Sequence, residues 1–180
     1  MCSFVRVITL GRAFKILPLT ELEVSRLLAK PILGHLGVVT GGRPHVSPLW
    51  IYYQGGLFYF STRSGRLKGA AIGRNPSVAL SIATDTTPYM AVLAEGTAEI
   101  ASDEWLIMGQ IIDKYVTSLF GRASGEVLMR KWKSEQDRHA YVLRPRRVLS
   151  WDYGRGDLER QDAGTSMLTD IKQSPPSKPV

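Results

Sequence analysis

The chain has 180 residues, 44% of them hydrophobic and 22% charged, enough for one globular domain with its own core. Its formal net charge of +7 favours a polyanionic partner, such as nucleic acid, an anionic membrane or a phosphorylated cofactor. A single cysteine, Cys2, excludes an intrachain disulfide and a cysteine-cluster zinc site, and no run nears the roughly 18 apolar residues of a membrane span.

Residues 1–15 carry Arg6, Arg12 and Lys15 and no acid. Arginines interrupt every apolar stretch there and no small-residue cleavage site follows, so the segment reads as an N-terminal extension and not a targeting peptide. With no membrane span, the expected compartment is the cytoplasm. At the other end, residues 154–180 finish Gln-Ser-Pro-Pro-Ser-Lys-Pro-Val. Such a composition cannot offset its own ordering entropy, so a flexible tail is expected, leaving 16–153 as the working domain.

Thr20 and Glu23 make a capping box, with Val24, Leu27 and Leu28 on one helical face until Pro31 stops the helix. Residues 32–40 read as a strand, and Gly41-Gly42 supplies the positive-φ pair of a tight hairpin. A second strand spans 43–53, Gln54-Gly55-Gly56 turns the chain, and a third spans 57–62. Ser64 is expected to cap a short helix with Leu67, Ala70 and Ala71 inward. From Val78 to Thr84 large and small residues alternate, predicting a strand packed closely on its small side. A long strand follows over 89–101, with Glu95, Thr97 and Glu99 on one face. A helix carrying Trp105, Met108, Ile112, Tyr115 and Val116 comes next, then a helix from Ser124 with Leu128 and Trp132. A strand over 139–153 closes the domain. Six strands separated mostly by turns predict a mainly β fold with helices, a small antiparallel barrel and not a doubly wound sheet.

The most informative stretch runs from Phe60 to Lys68, Phe-Ser-Thr-Arg-Ser-Gly-Arg-Leu-Lys. A strand ends in hydroxyls and a helix begins with cations in its first turn, against the dipole preference for acids there. Such a convergence is either an anion site, whose bound phosphate offsets the repulsion, or a solvated basic loop. His45-Val46-Ser47-Pro48-Leu49-Trp50 places a proline inside a β run, so this strand lies at an edge or a bulge, with backbone groups free to meet a planar ligand. His35, His45 and His139 have no metal-ligand spacing, so no metal is expected. No nucleophile elbow surrounds Ser47 or Ser61, and no residue is assigned a catalytic role. Arg144, Arg146 and Arg147 either bind phosphate or protect a solvated edge. There is no G-x-G-x-x-G or Walker loop.

In order and spacing, Leu36–Thr40, Gly42–Trp50, Gly56–Thr62, Arg66–Lys68, Arg74–Val78 and Glu95–Glu99 resemble the pyridoxamine 5′-phosphate oxidase-like split-barrel superfamily. The match is nearest its flavin/deazaflavin oxidoreductases, which use coenzyme F420 or FMN. The resemblance covers about Leu19 to Trp151 and implies a homodimer with cofactor sites at the subunit interface. It implies that Val46, Ser47, Pro48, Leu49 and Trp50 lie along the flavin ring. Ser61, Thr62, Arg66 and Lys68 are the positions it assigns to the cofactor phosphate. The arginine-and-lysine strand pattern and C-terminal arginine motif of true pyridoxamine-phosphate oxidases are missing, which argues against vitamin B6 oxidation.

The function expected is therefore hydride transfer between F420 and a small conjugated acceptor, with FMN as the same-fold alternative. A non-enzymatic flavin or haem carrier is the second class, with His45 as its residue to question. Nucleic-acid binding is not expected, because no aromatic-interleaved strand face or arginine-rich recognition helix accompanies the charge.

Overall fold

The computed structural model describes residues 9–10, 14–15 and 17–155. The expected extension is thus seen only as a two-residue ladder between β1 (Thr9–Leu10) and β2 (Phe14–Lys15). The expected tail lies outside the described residues beyond Gly154 and Arg155.

Helix α1 (Glu21–Ala29) starts as its capping box dictates: Thr20 Oγ1 accepts from Glu23 N–H, and the Glu23 carboxylate accepts from Thr20 N–H at 2.8 Å. Val24, Leu27 and Leu28 are its buried stripe. Strands β3 (Gly34–Thr40) and β4 (Arg43–Leu49) form a hairpin across Gly41-Gly42, whose φ of 56° and 72° are open to glycine at no steric cost. Strands β5 (Ile51–Gln54) and β6 (Leu57–Arg63) form a second hairpin across Gly55-Gly56. Helix α2 (Leu67–Arg74), β7 (Ser77–Ala83), β8 (Met90–Ile100) and β9 (Arg138–Asp152) complete the barrel.

Seven strands pair antiparallel in the order β4-β3-β7-β8-β9-β6-β5. Six were expected; the difference is the run 43–53, which breaks at Trp50 into β4 and β5. The two halves pair with β3 and β6 at opposite ends of the sheet. Since β4 and β5 are contiguous, the sheet must curl until its two edges meet at Trp50, unladdered. That is the split in the barrel. Its interior holds Leu36, Phe58, Phe60, Leu80, Ile82, Val92 and Leu143, all fully buried.

A second core lies under the helices on the other side of β5, β6 and β9. Helix α3 (Glu104–Ile112), a π-helical turn (Asp113–Thr117), α4 (Ser118–Phe120) and α5 (Arg122–Ser134) bury Met108, Ile111, Ile112, Tyr115 and Trp132. Trp105, at the start of α3, is exposed, with Lys133 Nζ 5.7 Å from its ring centroid.

Three other expectations are corrected. Helix α2 is preceded by Arg66, not Ser64, and no side chain caps it. Its inward face is Gly69, Ala71 and Ile72, leaving Leu67 exposed, because a Cβ on Gly69 would overlap the Arg63 carbonyl oxygen and only glycine lets the helix press against the end of β6. Strand β7 does bury Val78, Leu80 and Ile82, but on its small-residue side Ala79 is half-buried and Ser77, Ser81 and Ala83 are exposed among the described residues.

Candidate functional site

The site is built where the edge strand β4 meets the start of α2. In a two-residue hairpin the residues flanking the turn, Thr40 and Arg43, exchange backbone bonds, and the alternation then turns Pro44, Val46 and Pro48 toward the unpaired edge. Both prolines thus stand where no ladder donor is lost. Along that edge only Val46 offers an N–H. The Pro48 carbonyl, facing the same way, accepts from Lys68 Nζ at 3.3 Å, which ties α2 to the strand.

Side chains of β4 divide by the same alternation. Val46 is 62% exposed, whereas Leu49 is buried and Ser47 points inward opposite Leu36. Ser47 Oγ is buried without a hydrogen-bond partner, an expensive state for a hydroxyl unless a ligand supplies the partner. Trp50 turns to the helical side, stacked on Tyr115 with centroids 5.2 Å apart and 8° between planes, and 6.2 Å from Trp132.

The anion-site expectation rests on α2. Its first turn contains no acid, its N–H groups have no side-chain cap, and among the described residues Arg66 pairs with no carboxylate. Lys68 is half-buried, and burial pulls its pKa down. Arg63 is not available in the same way, since its Nε lies 2.7 Å from Asp137 Oδ1 and holds that carboxyl below its usual range.

The two hydroxyls expected to work together face opposite sides, as a period of two requires. Thr62 is buried on the side of Phe58 and Phe60, which α2 covers with Ala71 and Ile72. Ser61 faces the helical layer, where its hydroxyl donates to the His139 carbonyl at 3.1 Å and accepts from Arg138 Nη1 at 3.2 Å. Arg138 in turn lies 4.5 Å above the Trp132 ring. So Lys68 of α2 meets Pro48 of β4 and Thr62 of β6 lies buried beneath α2, while Trp50 anchors into the helices behind and Ser61 is held by Arg138 and His139 of β9.

Sequence reasoning missed several polar residues of that helical layer. Lys114 Nζ donates to the Leu28 and Ile51 carbonyls at 2.6 and 2.9 Å, and burial lowers its pKa to about 8. Glu104 accepts from Ala140 N–H at 2.9 Å and contacts His139 Nδ1 at 3.1 Å. No spacing marks these positions: Lys114 and Arg138 look like ordinary surface cations in the sequence. The arginine cluster of β9 is largely spent on ion pairs, Arg144 with Glu99 and Arg147 with Glu95, and Arg146 is the extra residue of a bulge opposite Gly96.

Cavities of about 480 and 640 Å³ flank α1, lined among others by Ser25, Tyr53 and Gly55; neither reaches Val46–Trp50 or Arg66–Lys68. The candidate site is an open strand edge.

An antiparallel barrel whose two edges are supplied by one run of chain defines the split-barrel class. Within it, this chain belongs to the pyridoxamine 5′-phosphate oxidase family, whose model matches residues 20–152. Among solved structures it is similar to a conserved hypothetical protein from Mycobacterium tuberculosis, at 23% identity and a TM-score of 0.64, covering 88% of this chain and 99% of that one. It is also similar to an F420 reductase (27% identity, 69% and 94% covered, TM-score 0.52). An FAD-binding protein from Mesorhizobium loti is a third (20% identity, 78% and 98% covered, TM-score 0.53). No curated protein matches the chain.

Proposed function

We propose that this protein is an oxidoreductase that binds F420 along the edge of β4, with the cofactor phosphate at the start of α2, and passes a hydride to a small conjugated acceptor. The observation that carries this reading is the Lys68–Pro48 contact, which joins an uncapped, acid-free helix start to a strand edge with free backbone groups. The residues fit the cofactor chemically. Lys68 and Arg66 supply charge-assisted donors for a phosphate, and the α2 N–H groups add theirs. Arg66 and Arg74, both exposed, suit the polyglutamate of F420. That extended polyanion favours F420 over FMN, which needs only the phosphate contacts.

When bound, the deazaflavin supplies the hydride chemistry. The chain's part is to hold the phosphate, to orient the ring against Val46 and the β4 backbone, and to keep water from one face. Vitamin B6 oxidation is not proposed, because β4 presents Ser47, Pro48 and Leu49 where that chemistry uses basic residues.

The reading includes a homodimer, since among the described residues no further strand pairs with the β4 edge. The exposed small-residue side of β7, with His35 and Gly37 of β3 opposite Ser81 and Ala79, is the face offered to a second copy in this reading. Binding of F420 and of FMN to the dialysed protein, followed by fluorescence, tests the cofactor assignment; affinity for neither removes it.

A further inference from the structure

Ile51 occupies the point where the chain leaves one edge of the barrel for the other. In the β5–β6 hairpin the Gln54–Leu57 pair flanks the turn, so by alternation Ile51, opposite Phe60, turns both its backbone groups toward the free edge. Neither is left bare. The Ile51 N–H donates to Tyr115 Oη at 3.3 Å, and the Ile51 carbonyl accepts from Lys114 Nζ at 2.9 Å. The same two side chains reach back to α1 and the segment after it, Lys114 Nζ donating to the Leu28 carbonyl and Tyr115 Oη to that of Ile32. Consecutive residues of an α-helix point about 100° apart; the wider π-helical turn lets both serve the two backbone groups of one residue. The Tyr115 ring also stacks on Trp50, the residue before Ile51. α5 closes on this turn at Gly125, where a Cβ would overlap Thr117 Oγ1.

We infer that Lys114 and Tyr115 are positioning residues: by clamping both backbone groups of Ile51 and stacking Trp50, the π-helical turn sets how Val46–Leu49 leaves the barrel split and so presents its edge. The inference rests on the cofactor reading only for its consequence in binding. Neither residue is among those that meet the cofactor in that reading. The strand end has few other restraints, for β4 is paired on one side only and has a proline at Pro48.

The test uses the full chain with Tyr115→Phe, which keeps the stacking ring and loses the hydroxyl, and Lys114→Met, which keeps the stem and loses the ammonium. Hydrogen exchange is followed without cofactor at the protected amides within 46–51, those of Ser47, Leu49 and Ile51, and F420 and FMN affinities are measured in parallel. Loss of one backbone clamp should speed exchange at 46–51 about tenfold and weaken cofactor binding several-fold, leaving exchange in β7 and β8 unchanged. Wild-type exchange at 46–51 in both variants overturns the inference. So does acceleration spread equally over β7 and β8, which is what general destabilisation produces. Faster exchange at 46–51 with unchanged affinity removes the link to binding. If the wild type binds neither cofactor while exchange behaves as expected, the positioning stands and the cofactor reading fails.

Discussion

Lys68 carries two duties that compete for one ammonium. It donates to the Pro48 carbonyl, and in the proposed complex it also meets the phosphate. Half-buried and pulled toward neutrality by desolvation, it gains most from an anion that restores its charge. Replacing both Lys68 and Arg66 with alanine should weaken cofactor binding by about 2–4 kcal/mol, the range for losing charge-assisted contacts. Titration of the double variant checks this, and equal affinity removes the phosphate assignment. Arg63→Ala should act differently, since Arg63 is held by Asp137. It should lower stability with little direct effect on affinity, read by melting alongside titration. At Gly69 the conflict is steric: Gly69→Ala drives a Cβ into the Arg63 carbonyl and should cost about 1–3 kcal/mol by denaturant unfolding.

Among the elements, the π-helical turn has its own pH signature. Lys114 is pulled down to about 8 in the fold by desolvation, below its ordinary value of 10.5. Between those values the unfolded chain holds more protons than the folded one, so stability should rise as pH goes from 8 to 10. Melting curves across that interval should show the rise in the wild type and lose it in Lys114→Met. The Tyr115 hydroxyl, raised to about 12, acts only above that window. How much of this was legible in the sequence follows from which forces are local. The capping box at Thr20, the two Gly-Gly hairpins and the buried alternation of β7 are short-range patterns, and each forms where its residues predict. The break at Trp50 is different: nothing within the run 43–53 says that its halves pair with different strands, because partner choice is made by β3 and β6. The start of α2 was misplaced for a similar reason. Ser64 is a good cap by type, but the Arg66 N–H that it would accept from is spent on the Arg63 carbonyl at 3.1 Å, and the close approach at Gly69 sets the helix two residues on. For the candidate site the sequence offers residue types and their order but not which side each faces, since Trp50 is claimed by Tyr115 and Trp132 of the helical layer and Ser61 by Arg138 and His139 of β9, all more than 50 residues away.

For the whole molecule, the open strand edge and the exposed small-residue side of β7 belong to one question, whether a second copy completes the site. Light scattering at micromolar concentration should show a dimer. Ser81→Arg, an outward position of β7, should yield monomers with weakened cofactor binding, whereas a dimer of unchanged affinity would place the interface elsewhere. The described residues contain no helix long and apolar enough to cross a membrane. The formal charge of +7 finds its use in the proposed polyanionic cofactor tail, near Arg66 and Arg74. The most direct measurement is equilibrium binding of the dialysed protein to F420 and FMN side by side, by fluorescence. Tight F420 binding with much weaker FMN binding is the result this account predicts; affinity for FMN alone, or for neither, would contradict it.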